Sequence, residues 1–108
     1  MKIQFNTDKN IEGKVELETF VSEKISNSLK HFTENITRIE VHLSDQNSHK
    51  DSEDDIQCKM EARIQNMQPV MVISKSGSRE KAIDIALDKM KARLSTIIGK
   101  MKNKKQHQ

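Results

Sequence analysis

One cysteine, four histidines and an acid-rich stretch are the side chains from which this 108-residue sequence could build a nucleophile or a metal site. A nucleophilic cysteine needs an electropositive, partly open surrounding to form its thiolate. Cys58 stands instead among the inward positions of an alternating run, Ile56, Cys58, Met60, Ala62 and Ile64, where a lone cysteine serves as a small core residue. His42 and His49 could join Asp45, Asp51, Asp54 and Asp55 around a cation, yet no CxxC or HExxH spacing supports this. The segment starting Asp45-Gln46-Asn47 has the flavour of a calcium loop. It carries Lys50 where that loop needs glycine and Ile56 where it needs a bidentate glutamate. Gly77-Ser78-Arg79 precedes a helix whose first amides could receive an anion; without a Walker pattern it reads as a capped helix start. No Ser/His/Asp set or carboxylate pair stands out. The protein is not expected to be an enzyme, and no cofactor or metal is expected.

The remaining chemistry is cationic. Ile83, Leu87, Met90, Leu94, Ile97/Ile98 and Met101 recur every three or four residues, which predicts one long amphipathic helix from Ser78 onward. Projected at about 100° per residue, Lys89, Arg93, Lys100 and Lys104 fall along one flank of the apolar stripe, and Lys91 and Lys102 along the other. From Arg79 onward nine Lys/Arg face three Asp/Glu, a local charge of +6. The rest of the chain is net −3, so the overall +3 hides a polarised molecule. Such polarity points to an anionic partner, nucleic acid first among them. A lysine-rich helix can also be a merely solvated face.

The elements that must position this helix follow from periodicity. Lys2–Asn6 alternates, with Ile3 and Phe5 on one side, as a short strand does. Gly13 followed by Glu16 is an acceptable helix start. Leu17, Val21, Ile25, Leu29 and Phe32 then predict a helix over residues 14–32. Thr33-Glu34-Asn35 is a turn. Ile39, Val41 and Leu43 form one face of a second strand, and Ile56 to Ile64 one face of a third. This period of two requires a sheet with one face covered and one wet. Residues 45–55 between these strands make a polar, acid-rich surface loop. Val70–Lys75 is a fourth strand whose apolar residues do not alternate cleanly, which leaves its facing open. The expected architecture is α+β: a two-layer sandwich in the order β-α-β-β-β-α, a four-stranded sheet with two helices packed on one face. Residues 1–102 make one domain, and 103–108 a frayed basic tail.

Composition narrows the setting. With 33% hydrophobic and 32% charged residues, no Trp or Tyr and three Phe, the core is small and aliphatic. That leaves little apolar surface for a deep pocket. The N-terminus lacks the apolar run of a signal peptide and no stretch could span a bilayer. A single cysteine permits no intrachain disulfide. A soluble cytoplasmic protein is expected, without a membrane partner. The wet sheet face mixes the signs of Arg38, Glu40, Lys59, Glu61 and Arg63 and offers no aromatic for stacking. RNA contacts should therefore be helix-borne cations reaching phosphates.

With these elements placed, the chain resembles the ribosome hibernation-promoting factor / ribosome-associated inhibitor A family. It resembles that family in its short form, particularly a proteobacterial branch. The likeness is carried by Asn6-Thr7-Asp8-Lys9-Asn10-Ile11-Glu12-Gly13 and Ile36-Thr37-Arg38-Ile39-Glu40-Val41-His42-Leu43-Ser44-Asp45. It continues in Cys58-Lys59-Met60-Glu61-Ala62-Arg63, Gln68-Pro69-Val70, Ala82-Ile83-Asp84 and Asp88-Lys89-Met90. The resemblance implies a fold like that of double-stranded RNA-binding domains. It also implies binding to the small ribosomal subunit in the channel of mRNA and tRNA, basic helix residues lying against ribosomal RNA. Translation would be blocked and idle ribosomes preserved under stress or in stationary phase. The matching basic positions are Lys24 and Lys30 on the first helix and Lys89 and Lys100 on the last. Arg93 falls one place from a family position, and its role is inferred from the helical projection. Better-known members carry further basic residues where this chain has Ser95-Thr96-Ile97-Ile98. Fewer phosphate contacts mean weaker binding with a flatter salt dependence. The short form lacks the second domain through which long members pair, so a monomer is expected, and no DNA partner.

Two other classes stay open on the residues alone. A general RNA-binding module would place Arg79 and Lys81 on the phosphates of a duplex. A protein-interaction domain would use the exposed sheet face or the acidic loop and leave the basic helix solvated.

Overall fold

The computed structural model describes residues 1–8, 11, 13–45 and 55–106, with residues 101–106 described as helical backbone only. Strand β1 (Lys2–Thr7) leads through helix α1 (Lys14–Ser28) and a short 3-10 turn (Lys30–Phe32) to β2 (Ile36–Asp45). Strands β3 (Ile56–Ile64) and β4 (Val70–Ser76) follow, and α2 (Arg79–Gln106) completes the fold. The sheet order is β1-β2-β3-β4. The β1–β2 pair is parallel, Phe5 opposite Val41, as the α1 crossover allows; the other two pairs are antiparallel. This is the α+β sandwich that the periodicity predicts.

Alternation places Ile39, Val41 and Leu43 of β2 and Cys58, Met60 and Ala62 of β3 fully inside. Over them lie Val21, Ile25 and Leu29 from the first helical segment and Ile83, Met90 and Leu94 from α2, all likewise without exposure. Burying a Leu or Ile side chain contributes about 1.5–3 kcal/mol, and this layer is what fixes α2 on β3 and β4. Ile36 is also buried, three residues before Ile39, a spacing that a regular strand cannot serve. The register shifts between Ile36 and Arg38 to absorb the mismatch, and the Thr37 hydroxyl donates to the Arg63 carbonyl at 3.1 Å there.

Three local features differ from the sequence expectation. The first helix ends at Ser28, not near residue 32: Leu29 leaves the helical region (φ −110°, ψ 19°) and the chain tightens into the 3-10 turn. Lys30 therefore stands in that turn and not on the helix. Strand β4 alternates strictly after all, with Val70, Val72, Ser74 and Ser76 inside and Met71, Ile73 and Lys75 outside. Its pattern is blurred in the sequence because two inward positions are serines and two outward ones are apolar. Ser74 is tolerated inside because its hydroxyl donates to the Ala82 carbonyl of α2 at 2.5 Å. The α2 backbone is helical as far as Gln106, overlapping the expected tail.

Candidate nucleic-acid interface

Helix α2 is anchored at its start by Ser78, whose hydroxyl accepts from the Lys81 amide at 3.3 Å and donates to Glu80 at 3.2 Å. A capping hydroxyl and a carboxylate in the first turn leave an anion poorly served there. The cap reading of Gly77-Ser78-Arg79 thus has its geometry. Further along, Ala82, Ile83, Ala86, Leu87, Met90, Leu94 and Ile98 face the sheet. The solvent side carries Lys81, Lys89, Lys91, Arg93 and Lys100 against Glu80 and Asp88, all exposed.

The five cations singled out in the sequence do not form one patch. Lys89, Arg93 and Lys100 project within about 40° of one another, one row along the flank nearest β4, and span about 16 Å of helix. The Lys89 ammonium donates to the Ile73 carbonyl at 2.8 Å, on the edge strand β4. Arg93 lines a shallow groove with the β3–β4 turn. Lys24 belongs elsewhere. Its ammonium pairs with Asp84 of α2 at 2.6 Å and sits 5.4 Å from the Phe20 ring centroid. Asp84 projects about 140–180° around α2 from the Lys89 row. Lys24 thus joins the α1-facing flank, where Lys91 projects within about 20° of Asp84. Lys30 is exposed in the 3-10 turn.

The opposite face of the molecule is a poor anion site. Strand register stacks Lys2, Arg38 and Arg63 in one row and Gln4, Glu40 and Glu61 in the next. Arg38 and Arg63 each reach Glu40 at 3.4 Å, and Arg63 reaches Glu61 at 3.6 Å. The concavity over this face, about 530 Å³, is lined by both signs, among them Asp8, Glu40, His42, Lys59 and Glu61. The two arginines of this face are engaged by neighbouring carboxylates.

The catalytic and metal candidates end differently. Burial raises the Cys58 thiol from its usual 9.0 to about 12, so it carries no thiolate near neutrality. Among the described residues no group of three or more His, Cys, Asp or Glu could hold a metal. His49, Asp51 and Asp54, and with them most of the calcium-like loop, lie outside the described residues. No described helix is long and apolar enough to cross a membrane.

The sequence profile of the Sigma 54 modulation protein / S30EA ribosomal protein family matches residues 5–102. This chain belongs to that family. Its members are ribosome-associated factors of the hibernation type, the family that the sequence motifs resemble. Solved structures share the fold, two among them from Thermus thermophilus and Coxiella burnetii. The N-terminal domain of Thermus thermophilus Protein Y superposes with a TM-score of 0.72 at 16% identity, covering 90% of this chain and 99% of that one. A ribosomal subunit interface protein from Coxiella burnetii gives 0.70 at 13% identity, covering 92% and 99%. No curated protein sequence matches the chain.

Sequence reasoning passed over two contributors to this S30EA-family surface. Lys91 was visible as a flank residue, but that it shares its flank with Lys24 follows only from the Lys24–Asp84 pair. Residues 66–70 carry no charge and have no signal of their own; only the packing of α2 on β4 brings them beside Arg93.

Proposed function

We propose that this protein is a hibernation factor that occupies the small ribosomal subunit and blocks translation by steric exclusion. Lys24, Lys30, Lys89, Arg93 and Lys100 lie against ribosomal RNA phosphates in this reading. The observation that carries it is the row Lys89–Arg93–Lys100, exposed on a helix of net charge +6, while on the open sheet face Arg38 and Arg63 are paired with Glu40. A phosphate-dominated interface suits this arrangement, because separated helix cations read backbone and shape more than sequence. The action fits a cytoplasmic protein that preserves idle ribosomes under stress or in stationary phase, working as a monomer and without catalysis.

Co-sedimentation with purified ribosomes across a salt series tests the reading. Five phosphate contacts, at about 0.7–0.9 per contact, give a slope of log K against log salt near −4. Affinity should then fall about 10²-fold between roughly 50 and 200 mM salt. Charge reversal at Lys89 and Arg93 together should abolish association and leave the circular dichroism spectrum intact. Unchanged co-sedimentation of that double variant would sink the proposal. Equal affinity for a free RNA duplex and for the small subunit would point instead to a general RNA-binding module.

A further inference from the structure

Arg93 is not an isolated cation on a smooth helix. It forms one wall of a groove of about 770 Å³ with Ile97, the other wall being residues 66–70 of the β3–β4 turn. Asn66 holds a left-handed conformation (φ 64°) and the Met67 amide donates to the Ile64 carbonyl at 3.1 Å, which closes a tight turn. That turn leaves Met67 40% exposed, one of four large hydrophobics so exposed among the described residues. Pro69 stands exposed on the same wall. An apolar wall thus faces a guanidinium, with Lys89 and Lys100 on the same helix flank.

A phosphate alone has no use for Met67 and Pro69, and a base in a duplex cannot leave its stack to reach them without loss. An unpaired nucleotide offers both complements: an anionic phosphate for Arg93 and a flat apolar base face for the turn. We infer that this groove takes an unpaired nucleotide of structured RNA, its phosphate on Arg93 and its base against Met67 and Pro69. The inference rests on the reading that this flank meets ribosomal RNA, and it gives that flank a base-holding subsite. Asn66 and Gln68 line the groove with side-chain amides, which can both donate to and accept from a base edge.

Salt separates the two contributions. Met67→Ser removes apolar contact and no charge; it should weaken binding to isolated small subunits about fivefold and leave the salt slope unchanged. Pro69→Ala should give a smaller loss of the same kind. Arg93→Gln should weaken binding and flatten the slope by about 0.7–0.9. Dimethyl sulfate probing should show an unpaired base protected by the wild-type protein and reactive again with Met67→Ser. Wild-type affinity for both turn variants, with Arg93→Gln still impaired, overturns the nucleotide subsite and leaves phosphate binding standing. A photoreactive side chain at position 67 that crosslinks only to ribosomal protein also overturns it. No effect from any of the three variants removes this flank from the ribosome interface altogether.

Discussion

Replacing Asp84 by asparagine keeps the side-chain shape and an acceptor for Lys24 while removing the charge that holds it. In the free protein the Lys24 ammonium is 2.6 Å from the Asp84 carboxylate, with the two side chains 38% and 47% exposed. An ion pair this open to water contributes about 0–1 kcal/mol, so the variant should lose at most a few degrees of melting temperature. A phosphate that meets Lys24 competes with Asp84 for the ammonium, and whatever the pair loses is subtracted from the binding energy. Asp84→Asn should therefore bind ribosomes up to about fivefold more tightly, the equivalent of 1 kcal/mol. A general gain from deleting one negative charge is a rival explanation. It is damped at about 0.15 M salt, where the Debye length is about 8 Å, and a double-mutant cycle isolates it. Small-subunit affinity would be measured for wild type, Asp84→Asn, Lys24→Met and the double variant. The expected result is a gain from Asp84→Asn that vanishes in the Lys24→Met background. The same gain in both backgrounds, or a loss in either, would refute Lys24 as a phosphate contact and leave it as a clasp between the helices.

Other consequences concern the scaffold. Leu94→Ala empties a fully buried site beneath the Lys89–Arg93–Lys100 row; about 2–5 kcal/mol should be lost in denaturant unfolding, with ribosome affinity falling only as the folded fraction falls. Gly13 begins α1 at φ 71°, and a Cβ there would meet nothing nearer than Glu16 Oε2 at 3.5 Å. Gly13→Ala should cost about 1 kcal/mol from backbone strain alone, visible as a lower urea midpoint at unchanged m-value. The Cys58 thiol titrates from 9.0 unfolded to about 12 folded. Below the unfolded value both states hold the proton and stability is flat. Above it the unfolded thiol ionises first, so stability should fall by about 1.4 kcal/mol per pH unit from this group, a slope that Cys58→Ala should lack. Native Cys58 should also resist alkylation at pH 8 until denaturant is added.

The sequence by itself determined the layers. Strict alternation in β2 and β3 and the three-to-four spacing of Leu17–Leu29 and Ile83–Ile98 leave one assembly in which every apolar stripe is covered. It also determined that the cations lie along α2, because a flank is a property of spacing alone. Burial of Cys58 was legible for the same reason. The tertiary structure decided what a one-dimensional pattern does not encode: partners far apart in the chain. Strand β4 could not be faced from its own residues, since Ser74 is inward only because Ala82 of the next helix accepts its hydroxyl. The irregularity at Thr37 answers the three-residue spacing of Ile36 and Ile39, but only the pairing with β3 fixes where it falls. Five similar-looking basic positions became different objects once folded. Lys24 is tied to Asp84, sixty residues away, and Lys89 to the edge of β4. Arg93 gains an apolar wall from a turn with no charge of its own. Periodicity records how each element meets the core; which charge meets which neighbour depends on how the elements are laid side by side.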